Sequence, residues 1–196
     1  MFLSRSSKLA GAAVALLLTF VPAQGQEQEI TAQEADAYFR QIQKEAVEIM
    51  RSRDSGRLRQ WVEANIGDGA VMQASVTLHH HGVRKGFIEL TLTKDDMLNM
   101  SSLFAGALGQ GVFDDYALEV TVTEVLPLGP DAATASVRWT ERISINPGQA
   151  GSEGNQPGQQ RQPVTIEGIA DCTHLLRRSE DALVLGLSTC KGEVSF

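Results

Sequence analysis

The chain holds only two cysteines, Cys172 and Cys190, in 196 residues. That scarcity excludes a disulfide framework, and the wide spacing of the pair excludes a Cys-Xaa-Xaa-Cys redox centre. Basic side chains are also short, 17 against 24 acidic ones, for a formal charge of −7. An acidic surface repels phosphates and anionic headgroups, so nucleic acid is not an expected partner. Long apolar runs are absent except for Leu9 to Phe20. That run is too short for a comfortable span and is soon followed by Pro22 and the polar stretch Gln24 to Gln28. The chain has no Gly-Xaa-Ser-Xaa-Gly nucleophile elbow, and the glycines at 106, 109 and 111 lack the spacing of a phosphate loop.

What the N-terminus does have is a signal-peptide pattern. Arg5 and Lys8 precede the apolar run, and Val21-Pro22-Ala23 or Ala23-Gln24-Gly25 supplies small residues for cleavage. Residues 1–25 therefore read as a removable signal peptide of bacterial type, with an uncleaved anchor as the other reading. Export to the periplasm or outside the cell follows, with no stable membrane span after cleavage. With no cysteine behind the apolar core, lipid attachment is excluded. Cleavage would remove two basic and no acidic residues, leaving a formal charge of −9. Residues 26–196 are enough for one domain with its own core.

The next residues divide into a helical half and a strand half. Thr31-Ala32-Gln33-Glu34 is a capping box, and Ala35, Phe39, Ile42, Ala46 and Ile49 recur along one helical face, so a helix is predicted over about 32–52. Asp54 or Ser55 caps a second helix with Leu58, Trp61 and Val62 on one face, ended by Gly67-Asp68-Gly69. Strands are predicted over 70–80 and 86–92, joined by residues 81–85, and Thr93 opens a third helix. Four long strands follow, 116–126, 132–145, 164–177 and 182–191, with a polar, glycine-rich and proline-rich loop at 146–163. In the last hairpin, residues whose numbers sum to about 362 face each other, which sets Cys172 opposite Cys190 as a cross-strand disulfide.

This order of elements resembles the NTF2-like fold, also called SnoaL-like or the cystatin-like α+β roll. The carriers are Leu58 to Val62 on the second helix, Asp68-Gly69-Ala70-Val71 entering the first strand, and Thr93 to Met97 opening the third helix. The resemblance covers about residues 30–191 and implies a cone: three helices packed on a curved, mainly antiparallel sheet, with a cavity open at one end. It places both enzymes and noncatalytic binders within reach and carries no common catalytic motif, so no catalytic residue is transferred.

Polar residues at apolar positions are the remaining candidates. Glu141 breaks an apolar face formed by Ala133, Ala135, Val137, Trp139, Ile143 and Ile145. It is a weak catalytic candidate, with pairing to a nearby arginine as the plain alternative. His174 shares a face with Ala170, Cys172 and Leu176 and suits proton transfer or a hydrogen-bonded structural role. Glu141 is expected opposite Gly168 or Ile169, too far along the strand to couple with His174. His79, His80 and His81 alternate across a strand, and neither a metal nor a cofactor is expected. Three function classes stay open: a noncatalytic binder of a small apolar ligand or protein partner, a proton-transfer enzyme with Glu141 as base, and an accessory subunit of an envelope assembly. Both faces of the last two strands carry apolar residues, Val164, Ile166 and Leu176 against Ile169 and Leu175, then Leu183, Leu185 and Leu187 against Val184, which leads to an expected homodimer through the convex sheet face.

Overall fold

The computed structural model describes residues 29–52, 54–109, 113–145, 163–180 and 182–196. The expected signal peptide and residues 146–162 of the expected loop lie outside them. Helix α1 spans Ala32–Ser52, and its capping box is closed in both directions. The Thr31 backbone N–H donates to Glu34 Oε2 at 3.0 Å, and the Glu34 N–H donates to Thr31 Oγ1 at 3.2 Å. The Thr31 N–H and then Arg178 hold the Glu34 carboxyl below its usual range, and the Arg178 contact at 3.0 Å ties the helix start to the sheet.

Helix α2, Ser55–Asn65, starts at Asp54, whose carboxylate accepts from the Gly56 and Arg57 N–H groups. It ends earlier than its glycines imply. Ile66 already takes extended backbone, and strand β1 runs Ile66–His80 through Gly67-Asp68-Gly69. The strand absorbs these residues as an irregularity between Ile66 and Val71, where Gly69 has φ +72°. Strand β2, Val83–Thr93, pairs with β1 across a turn of only His81 and Gly82. Both have positive φ, 49° and 75°, which lets the hairpin close in two residues where five were expected. A second capping box, Thr93 with Asp96, opens α3, Lys94–Gly109.

The meander is β3 (Phe113–Gly129), β4 (Ala132–Ile145), β5 (Val164–Ser179) and β6 (Ala182–Ser195). All six strands form one sheet in the order β2-β1-β6-β5-β4-β3. Every pairing is antiparallel except β1 with β6, which is parallel and joins the two hairpin systems. The architecture is α+β, as expected. Among the described residues no helix is long and apolar enough to cross a membrane.

The core lies between α1 and one face of the sheet. Phe39, Ile30, Ile42, Leu176 and Val137 are its largest fully enclosed side chains. Ala35, Phe39, Ile42 and Ile49 of the expected helical face are buried, whereas Ala46 is half-buried because it borders a cavity. On β4 the alternation holds, with Ala133, Ala135 and Val137 inside and Arg138, Thr140 and Arg142 outside. The last strand departs from it. Leu183, Leu185 and Leu187 were expected on one face, but a bulge lies between the His174 and Leu176 pairings of the hairpin. Leu185 is buried, Leu187 is 47% exposed, and Ser188 turns inward at 5%. One extra residue reverses which side each side chain takes.

Candidate functional site

The inward faces of β4, β5 and β6 bring three polar groups together. His174 is 4% exposed and lies directly across from Ser188. Its Nε2 accepts from the Trp139 indole N–H at 3.1 Å, and its Nδ1 lies 2.8 Å from Ser188 Oγ. An indole nitrogen can only donate, so Nε2 carries no proton and Nδ1 carries the single one, given to Ser188. Burial lowers the His174 pKa to about 4. The imidazole is therefore neutral with both nitrogens committed. A hydrolase-type pair needs the opposite polarity, the hydroxyl giving its proton to the ring. Ser188 is not activated in this arrangement. Phe39 packs at 5.3 Å from the imidazole, so the triad is held in an aromatic cage.

Glu141 lies farther along β4, opposite Gly168 as its register implies. Six positions of β5 separate Gly168 from His174, and the two candidates share no hydrogen bond among those described. Glu141 has a different neighbour, the buried Tyr116 of β3, whose phenol lies close enough to feel its charge. Burial first, and then the adjacent carboxylate, push the Tyr116 phenol well above its ordinary range. Arg142 does not neutralise Glu141. It faces the other way and reaches Asp115 at 3.6 Å.

Both groups open onto one cavity of about 490 Å³ beneath the helices. Ile42 and Ile49 of α1, Leu58 of α2, Met97 of α3 and Met72 of β1 give it apolar walls. Trp61 also borders it, and its buried indole N–H has no partner among the described residues. Side chains from β1, β3, β4, β5 and β6 meet at this single space, so the sheet bends around it. The chain has the NTF2-like fold. That statement rests on the element order, the six-stranded order and the cavity under α1.

No family model matches the chain, and no curated protein sequence matches it. Among solved structures it is similar to a hexachlorocyclohexane dehydrochlorinase, LinA type 2, at 14% identity over 81% of this chain and 84% of that one, TM-score 0.43. It is similar to an NTF-2-like protein of unknown function from Shewanella oneidensis, at 15% over 80% and 98%, TM-score 0.40. A third is the Kfla4162 protein from Kribbella flavida, at 14% over 83% and 93%, TM-score 0.46. These are likenesses of outline, and no activity passes from them to this NTF2-like chain.

The cysteines pair as their spacing implies. Cys172 and Cys190 form a disulfide across β5 and β6 with Cα atoms 4.1 Å apart. Their sulfurs and a His174 nitrogen form the one compact group of potential metal ligands among the described residues, but both sulfurs are spent on each other. The three consecutive histidines diverge. His80 Nδ1 lies 2.9 Å from the Phe196 carbonyl oxygen and its ring stacks on His81. His79 Nε2 is 3.9 Å from Glu193, within reach of a charge but too long for a hydrogen bond.

Sequence reasoning missed Trp139, Ser188, Tyr116 and Trp61 as the site's partners. Two of them carried a signal. The sum of 362 already sets Ser188 opposite His174, and the turn before Ala132 places Tyr116 within two residues of the position facing Glu141.

Proposed function

We propose that this chain is an exported NTF2-like module that holds a small apolar ligand in its cone without converting it. The observation that carries the reading is the cavity of about 490 Å³, walled by Ile42, Ile49, Leu58, Met72 and Met97. A space of that size and lining suits a compact hydrophobic molecule, and the Trp61 N–H, without a partner among the described residues, offers such a molecule one hydrogen bond. His174 and Ser188 lie in the wall with their hydrogen bonds directed at each other and at Trp139. Export is supported by the signal-like N-terminus and by the disulfide. Native mass spectrometry of the protein taken from its own cell envelope tests the reading. A retained apolar molecule is the expected result, and a cavity that stays empty against a panel of hydrophobic probes would refute it.

One observation favours a second reading, a proton-transfer enzyme of isomerase, dehydratase or cyclase type with Glu141 as base. The Glu141 carboxylate borders the cavity, and among the described residues no arginine pairs with it. Turnover lost on Glu141→Gln with ligand binding intact would select this reading. The convex face supports a homodimer in either case, since Ile169 and Leu187 are 52% and 47% exposed there. An envelope-assembly subunit would use the same face.

A further inference from the structure

The charge facing the cavity is of one sign. Among its described lining residues there is no lysine or arginine, and the carboxylates are Glu141 and Glu193. The Glu193 side chain is largely exposed and lies 3.9 Å from His79 Nε2. That leaves Glu141, among the described residues, as the charged side chain enclosed in the ligand space. The only basic ring in the wall, His174, carries no positive charge near neutral pH, since burial lowers its pKa to about 4. Tyr116 beside Glu141 has one phenol proton to give, so lone pairs of the carboxylate are left for a ligand. The arginines nearest in sequence, Arg138 and Arg142, face away and pair with Asp171 and Asp115.

This arrangement distinguishes ligands of equal apolar bulk by the charge of their heads. An anion brought into the cavity meets a fixed carboxylate with no cation among the described lining residues to offset it, at the low local dielectric of an apolar wall. A cationic head finds a hydrogen-bonding counter-charge, with the Tyr116 and Trp139 rings on the same wall to favour it further. We propose that the cavity takes an apolar amine, its ammonium head on Glu141 and its hydrocarbon body along Ile49, Met72 and Met97, and rejects the fatty-acid-like anion of the same length. The proposal rests on the binding reading above and adds the chemistry of the ligand's head.

The test uses the full chain and an uncharged fluorescent probe, N-phenyl-1-naphthylamine, displaced by dodecylamine, dodecanol or dodecanoate below their micellar concentrations. Dodecylamine is expected to displace the probe at a concentration about tenfold below dodecanoate, with dodecanol between them. Glu141→Gln should bring amine and alcohol to within about twofold of each other. Dodecanoate binding as tightly as dodecylamine would overturn the proposal, as would Glu141→Gln keeping the full gap. If that variant does not fold, the wild-type ranking decides by itself. Failure of all three compounds and of the probe to bind would instead remove the binding function itself, a different result from binding without charge preference.

Discussion

Acidification should weaken this fold through one residue, His174. The imidazole is enclosed by Phe39 and Trp139, and its folded pKa is lowered to about 4 against 6.5 for the ordinary group. Between those two values the unfolded chain binds a proton that the folded chain refuses. Stability is therefore complete above the unfolded pKa, declines as pH falls through the interval, and is lost from this source below the folded pKa. Full protonation would cost roughly 3 kcal/mol, and going from pH 7 to pH 5 costs about 2 kcal/mol. Urea unfolding followed by tryptophan fluorescence at the two pH values measures it. The control is His174→Gln, whose amide can accept from Trp139 and donate to Ser188 but cannot titrate. Glu34, Asp96 and Asp171 also have lowered pKa values, but they titrate mostly below this window and are present in both proteins. Wild type should lose about 2 kcal/mol more than the variant between the two pH values. Equal losses would refute the claim that this ring is held neutral by burial.

Trp139→Phe removes the indole donor while keeping an aromatic ring, so His174 Nε2 is left buried and unpaired. A loss of about 1–3 kcal/mol is expected in urea unfolding, and a much smaller one in a His174→Phe background would show that the hydrogen bond is responsible. Replacing Cys172 and Cys190 by alanine opens a closed loop in the unfolded chain, and on chain-entropy grounds stability should fall by about 3 kcal/mol. Ligand affinity measured at low temperature should persist in that variant, and its loss with the fold intact would contradict a purely structural disulfide. Sedimentation at high micromolar concentration should show a dimer, and Ile169→Lys should return it to monomer. A monomeric wild type would remove the convex-face interface.

The helix caps, the apolar stripe of α1 and the β4 alternation were legible because each is a local pattern whose physical cause lies within a few residues. So was the disulfide, since a short polar turn sets the register of its hairpin. The two-residue turn at His81-Gly82 was hidden because histidine is not a usual left-handed residue, and Val83-Arg84-Lys85 looks like loop until β1 supplies hydrogen-bond partners. The site was half legible. Glu141 and His174 stand out as polar breaks on apolar faces, but Trp139 reads as ordinary core and Ser188 as an outward-facing serine. Tyr116 and Trp61 become polar partners only once three strands and a helix close on the same space. A pattern of period two also cannot register an added residue, which is why Leu187 was set on the wrong side.

That added residue at Gly186-Leu187 works as a frameshift written into the strand. Upstream of it the chain spells its inner face with Leu183 and Leu185; downstream the same face is spelled Ser188, Cys190, Gly192 and Val194. Deleting one residue there would leave a regular ladder with Ser188 still opposite His174 and Cys190 still opposite Cys172, whereas a one-residue slip of β6 at unchanged length would turn both outward and uncouple the disulfide and the histidine's partner in a single step. Register carries more meaning here than length, so a single-residue deletion across 186–187 is the tolerable kind of change and a single-residue insertion just beyond it, between Leu187 and Ser188, the intolerable kind if the ladder stays regular.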